Sequence, residues 1–560
     1  MVTLSNVGAD VEKNIVPEVN DASKRDSDNA SADFQPGVKR VRAVASVWSK
    51  KTLWLTFALL YLVAFVDMLL VSVQSTLNPF ITSSFEKHGL LASVSIVATI
   101  LSGCSTLTLA KIVDVWGRIE GFLFMLLVVV VALIMKATCK NMEAYVAAHT
   151  LYWTGHIGMI YCVDVMLADM TTLRNRMIMF SINNTPTIAS TFAGPKIADL
   201  FFSNLNFRWA FGAFAIMLVG VSLPVIVIML FMERKSVKAG FLVKEKSGRS
   251  AWESIKYHLI EFDVVGIVLI TASFALILLP FSIVVYAPKG WATGYIIAME
   301  VVGVVCGAIF LAWERFLAPV QFLPFKYLKN PTIIGSCLLY GVMFASALLT
   351  ITTAGYVLNS FSLSSAILAP GIGLYTGNFK WAAYAGIPFM LLGTALLIPF
   401  RQPNTSIGAV TITQVLVGIG TSFFSVCGQL AVMSVVSHQE VAVVLAIWGM
   451  FGSIGASVGL AVAGAMWNNI LPSQLYRRLP EESKAMAAQI FGDMQLQMSY
   501  LDGTPERDAI VGAYADVQRK MVIAGVCMMP LVMASIVIWR NVNIKKQEEE
   551  EGSQTTGNIF

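Results

Sequence analysis

Apolar runs of spanning length recur along the chain at 53–76, 91–110, 121–139, 144–168, 178–201, 209–232, 263–286, 293–313, 332–350, 353–374, 382–400, 408–435, 441–468 and 521–539. About 20 apolar residues in a helix cross the hydrocarbon core of a bilayer. Runs this long satisfy their own backbone hydrogen bonds in lipid only as helices. Strands of a membrane barrel would instead show about ten residues of alternating polarity, which is not the pattern here. These fourteen runs predict an all-α polytopic membrane protein. Between Pro331 and Tyr375 two spans are crowded together with almost no connection, so one span is read as shortened near 346–352.

Lysine and arginine set the orientation, because short cytoplasmic loops collect them. With the N-terminus inside, the tails and inner loops hold 26 basic residues. The short outer loops hold seven: Lys87, Lys136, Lys140, Lys196, Arg208, Lys289 and Arg401. The expected organisation is a disordered cytoplasmic tail over 1–50, a six-helix bundle over 51–232 and a cytoplasmic loop over 233–262. Two auxiliary helices follow over 263–313, then a second six-helix bundle over 314–540 and a cytoplasmic tail over 541–560. That second bundle contains one long outer segment, 470–520, carrying seven acids and six bases. Within it, Thr504-Pro505-Glu506 reads as an N-cap, a proline at the first helical position and an early acid. A helix is predicted from there through Tyr514 and Gln518 into the last span, and another over Pro480–Phe491.

Composition agrees and narrows the chemistry. Hydrophobic residues make up 56% of the 560 and charged residues 13%, against roughly 25% charge in a soluble domain. The net charge of +5 is spread over short loops, which argues against nucleic acid as a partner. Seven cysteines stand singly, without CxxC or a Cys/His cluster, so no metal site, cofactor or disulfide framework is expected. No G-x-x-x-x-G-K-[ST], H-E-x-x-H or G-x-S-x-G stretch occurs, so the chain reads as a non-enzyme, and uphill work would draw on an ion gradient.

A charge at the centre of a span costs roughly 2.5–3.5 kcal/mol, so intramembrane polar groups are functional candidates. Asp67 and Asp164 are candidate proton-coupling carboxylates, with Asp67 alternatively a structural acid paired to another helix; Glu300 lies in an auxiliary span. His149 and His156 are seven apart, hence on one helical face, with Trp153 between them. Gln74, His156, Tyr161, Asn184 and Gln429 are candidate substrate-binding residues of a central cavity.

The second inner loop reads Lys111-Ile112-Val113-Asp114-Val115-Trp116-Gly117-Arg118, a degenerate match to the G-x-L-x-D-x-x-G-R loop of the major facilitator superfamily. A counterpart stands at Gly377-Asn378-Phe379-Lys380, as parallel repeats require. With Asp169 and Arg176 after the fourth span, Asp114, Gly117 and Arg118 form a candidate conformational latch. The chain further resembles the fungal siderophore-iron transporters of that superfamily. The resemblance rests on Gly503-Thr504-Pro505-Glu506-Arg507-Asp508-Ala509-Ile510 with Ala513-Tyr514, on Val436-Ser437-His438-Gln439, on Phe400-Arg401-Gln402-Pro403 and on Ala168-Asp169 with Asn175-Arg176. It implies the major facilitator fold, two six-helix bundles plus two auxiliary helices. It also implies a monomeric, proton-coupled importer of ferric siderophores, often hydroxamates, at the plasma membrane or an internal one, with iron travelling inside its chelate. Arg507 and Tyr514 would then belong to an outer-loop gate. The crowded stretch near 346–352 departs from the family pattern. Two alternatives stay open. Fourteen-span drug:proton antiporters usually carry G-P-x-x-G-G where this chain has Gly194-Pro195-Lys196-Ile197-Ala198-Asp199, and a non-transporting nutrient receptor would add a large signalling tail.

Overall fold

In the computed structural model, residues 40, 43–44, 46–84, 91–241, 250–284, 287–321, 323–350, 354–437 and 440–551 are described. Most of the expected N-terminal tail, the connection at 351–353 and the last nine residues lie outside them. The end of that tail is docked: Ala43, Val44 and Trp48 are buried, and Arg40 Nη1 pairs with Glu120 at 2.6 Å. The expectation of disorder up to residue 50 is corrected there, because these apolar side chains have a bundle surface to cover.

The first half consists of α1 (Lys50–Ser84), α2 (Leu91–Val115), α3 (Arg118–Thr138), α4 (Met142–Asp169), α5 (Leu173–Asn184), α6 (Pro186–Asn204) and α7 (Phe207–Lys238). Then come α8 (Ala251–Glu261), α9 (Val264–Leu278) and α10 (Gly294–Ala312). The second half holds α11 (Pro331–Thr350), α12 (Ala354–Pro370), α13 (Phe379–Phe400), α14 (Ile407–Met433), α15 (Val441–Arg478), α16 (Pro505–Cys527) and α17 (Met529–Val537), and α18 (Ile544–Glu551) follows. Local chemistry sets many of the boundaries. Asn141, Asn206, Ser406 and Thr504 each accept a backbone N–H of the first turn they precede. Ser250 and Glu253 close a capping box on α8. Thr185-Pro186 separates α5 from α6, where proline has no N–H to donate.

Among the described residues, ten helices are long and apolar enough to cross a membrane, or eleven with the bent pair α8–α9. The count of fourteen is therefore not reproduced as separate apolar helices. The expected run 144–168 lies in α4, whose buried positions include His149 and His156. The run 178–201 is broken at Pro186, and α12 is only 17 residues long. Both crowded helices, α11 and α12, nonetheless form.

Helix pairing repeats between the halves. In the first, α3 packs on α4 and α7, α2 on α4, and α1 on α6 and α7. In the second, α13 packs on α14 and α16, α12 on α14, and α11 on α15, α16 and α17. The halves meet where α2 lies along α15 and where α12 lies along α5 and α6. The auxiliary helices α9 and α10 pair with each other, and α9 leans on α2.

Lipid tails are as apolar as leucine, so helices associate here by close packing rather than by escape from water. The α11–α15 seam shows how: a Cβ on Gly455 would collide with the Gly341 carbonyl, and one on Gly459 would come within 2.7 Å of the Ala345 carbonyl oxygen. A leucine at 455 forces these helices apart. Gly455→Leu is expected to cost roughly 3 kcal/mol or more, seen as a lower midpoint in a thermal-unfolding assay in detergent. Gly212→Ala, whose Cβ meets nothing within 4 Å, should leave the midpoint unchanged or raise it.

Candidate functional site

Between the halves lies a cavity of about 480 Å³. Its walls come from α1, α2 and α4 on one side and α11, α14 and α15 on the other. Three of the sequence candidates line it: Tyr161, Asp164 and Gln429, joined by His149 and Trp153. Opposite them stand Tyr340 and Trp448, stacked with ring centroids 3.5 Å apart and planes at 16°. These two aromatics were missed in the sequence, because within an apolar run an aromatic reads as packing material. Among the described residues, Asp164 is the only carboxylate in the lining, which includes no lysine or arginine.

The other candidates sit behind this wall or away from it. Asp67 is 1% exposed and faces neither lipid nor cavity. Its two oxygens lie 3.0 and 2.9 Å from His156 Nδ1, joining α1 to α4. The His156 ring is sandwiched: Tyr152 stacks on it at 5.7 Å, and Trp153 meets it edge-on at 5.1 Å. Trp153, which lines the cavity, is thus in direct ring contact with the Asp67–His156 pair. Gln74 is buried and accepts from Lys136 at 2.5 Å, so it points into the first bundle. Asn184, at the broken fifth span, accepts at its carbonyl from Ser362 of α12, 3.2 Å away, so it bridges the halves outside the cavity lining.

Lys136 overturns an expectation. Counted above as an outer-loop charge, it is fully buried inside the first bundle. Besides Gln74 it contacts His149 Nδ1 at 3.1 Å, and the rings of Tyr145, Tyr152 and Phe211 surround it at 4.5–5.4 Å. The helical phase held the signal: Val129, Ala132, Leu133 and Lys136 share the buried face of α3.

At the end of the bundle expected to face the cytoplasm, the candidate latch residues come together. Arg118 donates to Asp114 and to Asp169, each at 2.8 Å, with all three side chains nearly buried. Gly117 sits at φ 130°, a conformation that side chains disfavour, and a Cβ there would run into the Glu120 carboxylate. Arg176 is fully buried and donates to the Ala168 and Thr171 carbonyls while reaching Met433 of the second half at 4.0 Å. Gly377, the counterpart in the second half, has φ 68°, and Lys380 beside it caps the Val537 and Trp539 carbonyls. Tyr161, in the cavity lining, donates to the Ala442 carbonyl of α15 at 2.9 Å and so ties the two halves together. The start of α15 is itself anchored, since Glu440 accepts from Lys326 at 2.5 Å. Burial works against the Glu440 carboxylate, but its bonds from Lys326, Ser437 and Tyr327 outweigh that and hold it below the usual glutamate range.

At the opposite end, in the segment expected to lie outside, Thr504 caps α16 as the sequence predicts. Arg507 bonds Asp502 at 3.1 Å and the Gln497 carbonyl at 3.1 Å, while Tyr514 donates to the Gln497 side chain at 2.8 Å. The short helix Met494–Ser499, which they hold, touches α1 of the opposite half. A second cavity of about 420 Å³ opens here, lined by Arg401, Arg507 and Tyr514.

The model of the Major Facilitator Superfamily matches residues 60–353. The siderophore iron transporter mirB of Emericella nidulans is 38% identical over 97% of this chain and 92% of its own. The MFS siderochrome iron transporter 1 of Ajellomyces capsulatus is 36% identical over 94% of this chain and 92% of its own. A crystal structure of a peptide transporter of the POT family in complex with sulfate covers 90% of this chain and 99% of its own, with a TM-score of 0.52 at 14% identity, a likeness of fold alone. The repeated helix pairing, the buried Arg118–Asp114–Asp169 cluster at a glycine turn and these full-length relatives lead to one conclusion: the chain is a multi-pass membrane protein that belongs to the Major Facilitator Superfamily, among its fungal siderophore-iron transporters.

Proposed function

We propose that the chain imports ferric siderophores, of the hydroxamate class, in symport with protons across the plasma membrane. The observation that carries this reading is the central cavity: about 480 Å³ between two repeated bundles, with one carboxylate and a stacked Tyr340–Trp448 wall. Its volume falls within the roughly 300–1,000 Å³ of small-molecule sites. A ferric trihydroxamate is neutral overall, rich in oxygen acceptors and apolar at its periphery, which suits a lining of aromatic, Ser/Thr and amide groups. The names of the full-length relatives point to the same cargo.

Transport follows from alternation of the two halves about this cavity. The chelate enters from outside while the bond from Tyr161 to Ala442 and the Arg118 latch hold the cytoplasmic side shut. A proton taken up at Asp67 or Asp164 removes a negative charge from the protein interior. At Asp67 it also weakens the bond with His156, loosening α1 from α4. Arg118 then parts from its acids, Tyr161 from Ala442, and cargo and proton leave together. Each proton brings about 2.3 kcal/mol per 100 mV of membrane potential, plus its concentration term.

Three outcomes are expected. In cells lacking their own carriers, the chain should confer uptake of a radio-iron-labelled trihydroxamate that rises as external pH falls and collapses with a protonophore; drug resistance without iron gain would instead indicate export. Asp67→Asn should remove the pH dependence of the maximal uptake rate, and an unaltered dependence would sink that assignment. Gly117→Leu, forced into a strained turn beside Glu120, should lower the maximal rate roughly tenfold with the KM nearly unchanged, since it disturbs the latch and not the cavity.

A further inference from the structure

Both ring nitrogens of His149 face groups that ordinarily only donate. Trp153 Nε1 lies 3.0 Å from His149 Nε2, and Lys136 Nζ lies 3.1 Å from His149 Nδ1. An indole N–H has no acceptor capacity, an ammonium has none either, and a neutral imidazole has a single acceptor nitrogen. The three groups are compatible only in particular protonation patterns. Since Trp153 must donate, Nε2 accepts, Nδ1 carries the hydrogen, and Lys136 Nζ must accept it as an uncharged amine while donating to Gln74. The surroundings fit an amine: from α4 come Tyr145, Tyr152 and His149, from α7 Phe211, from α1 Gln74, and Cys139 stands at the end of its own helix. Not one of these side chains is a carboxylate. Asp67, a buried acid of the same bundle, is engaged with His156, whose ring stacks on Tyr152.

We propose that Lys136, His149 and Trp153 form a protonation switch that decides whether two hydrogen-bond donors are turned on the cargo or on each other. His149 and Trp153 both line the central cavity, whose other titratable groups are Tyr161, Asp164 and Tyr340. A proton arriving from the cavity binds His149 Nε2. The Nδ1–H bond breaks as that hydrogen passes to Lys136 Nζ, which becomes an ammonium donating back to Nδ1. One proton has been gained, and the charge rests in the aromatic cage. Nε2–H now confronts Trp153 Nε1–H, donor against donor, so their bond is lost and both N–H groups become available to oxygen acceptors in the cavity. Proton binding thereby precedes and favours binding of an oxygen-rich chelate, which is the order a symporter needs. Lys136 and His149 act here as positioning residues for Trp153, and the proposal deepens the reading of the cavity as a chelate site.

The test uses the full chain in detergent. Ultraviolet resonance Raman difference spectra, wild type minus Trp153→Phe, isolate the band that reports hydrogen bonding of the Trp153 N–H. Between about pH 8 and about pH 5.5, a window that reaches imidazole titration, the band should move to its weakly bonded position in the wild type. In Lys136→Met, whose side chain fills the same apolar cage, the band should stay put, because without an amine to take the Nδ1 hydrogen the imidazole would have to become a buried cation. A wild-type band that ignores pH, or a shift that survives in Lys136→Met, overturns the switch. Equilibrium binding of a ferric trihydroxamate should tighten three- to tenfold on acidification in the wild type, the worth of about one hydrogen bond, and not in Lys136→Met; equal tightening in both overturns it. A wild type that binds no trihydroxamate at either pH defeats the chelate-site reading, while the Raman arm still decides the switch.

Discussion

Every polar group that this chain carries into the hydrocarbon has to find its partner inside the protein, because lipid offers none. That constraint organises the molecule. Asp67 is held by His156, Lys136 by Gln74 and His149, Arg118 by Asp114 and Asp169, and Arg176 by backbone carbonyls. Each set ties together elements that lie apart in the chain, and those ties, with glycine-mediated contact between backbones, replace the hydrophobic drive that assembles soluble helices. A group whose partners must be exchanged for the halves to move is a natural place to couple protonation or cargo to motion.

The sets differ in where they lie. Asp67–His156 and Lys136–His149 are both within the first bundle, both touch Tyr152, and both end at Trp153 on the cavity wall. The Arg118 cluster is at one end of the same bundle, and Arg176 and Tyr161 reach from this half to α14 and α15. Most of the ionisable chemistry thus resides in the first half. The second half supplies to the cavity stacked aromatics and Gln429, with close-packed glycines behind them.

How far this was readable before folding depends on the range of the interaction concerned. Thr504-Pro505 announced a helix start correctly because capping is settled within four residues. The glycine turns at 117 and 377 were legible for the same reason. Gln74 and Asn184 were expected at the cavity and Lys136 at the surface, and none of the three is found there. Their fate turns on the rotation of a helix about its axis, which neighbouring helices decide. Tyr340 and Trp448 carried no mark in an apolar run, and only the pairing of α11 with α15 stacks them.

Sequence by itself determined the class of molecule, the expected orientation of its loops and the residues of the candidate latch. Those follow from local quantities: the transfer energy of a run of side chains, the bias of Lys and Arg and the conformational tolerance of glycine. Tertiary structure alone decided which faces of the spans enclose the cavity, that Asp67 is held by a histidine in ring contact with its wall, and that a lysine counted as external is sealed among aromatics. In a medium that neither solvates charge nor repels hydrocarbon, the partner a buried polar group finds across the bundle fixes its place and its proton, and that partner is remote in the chain.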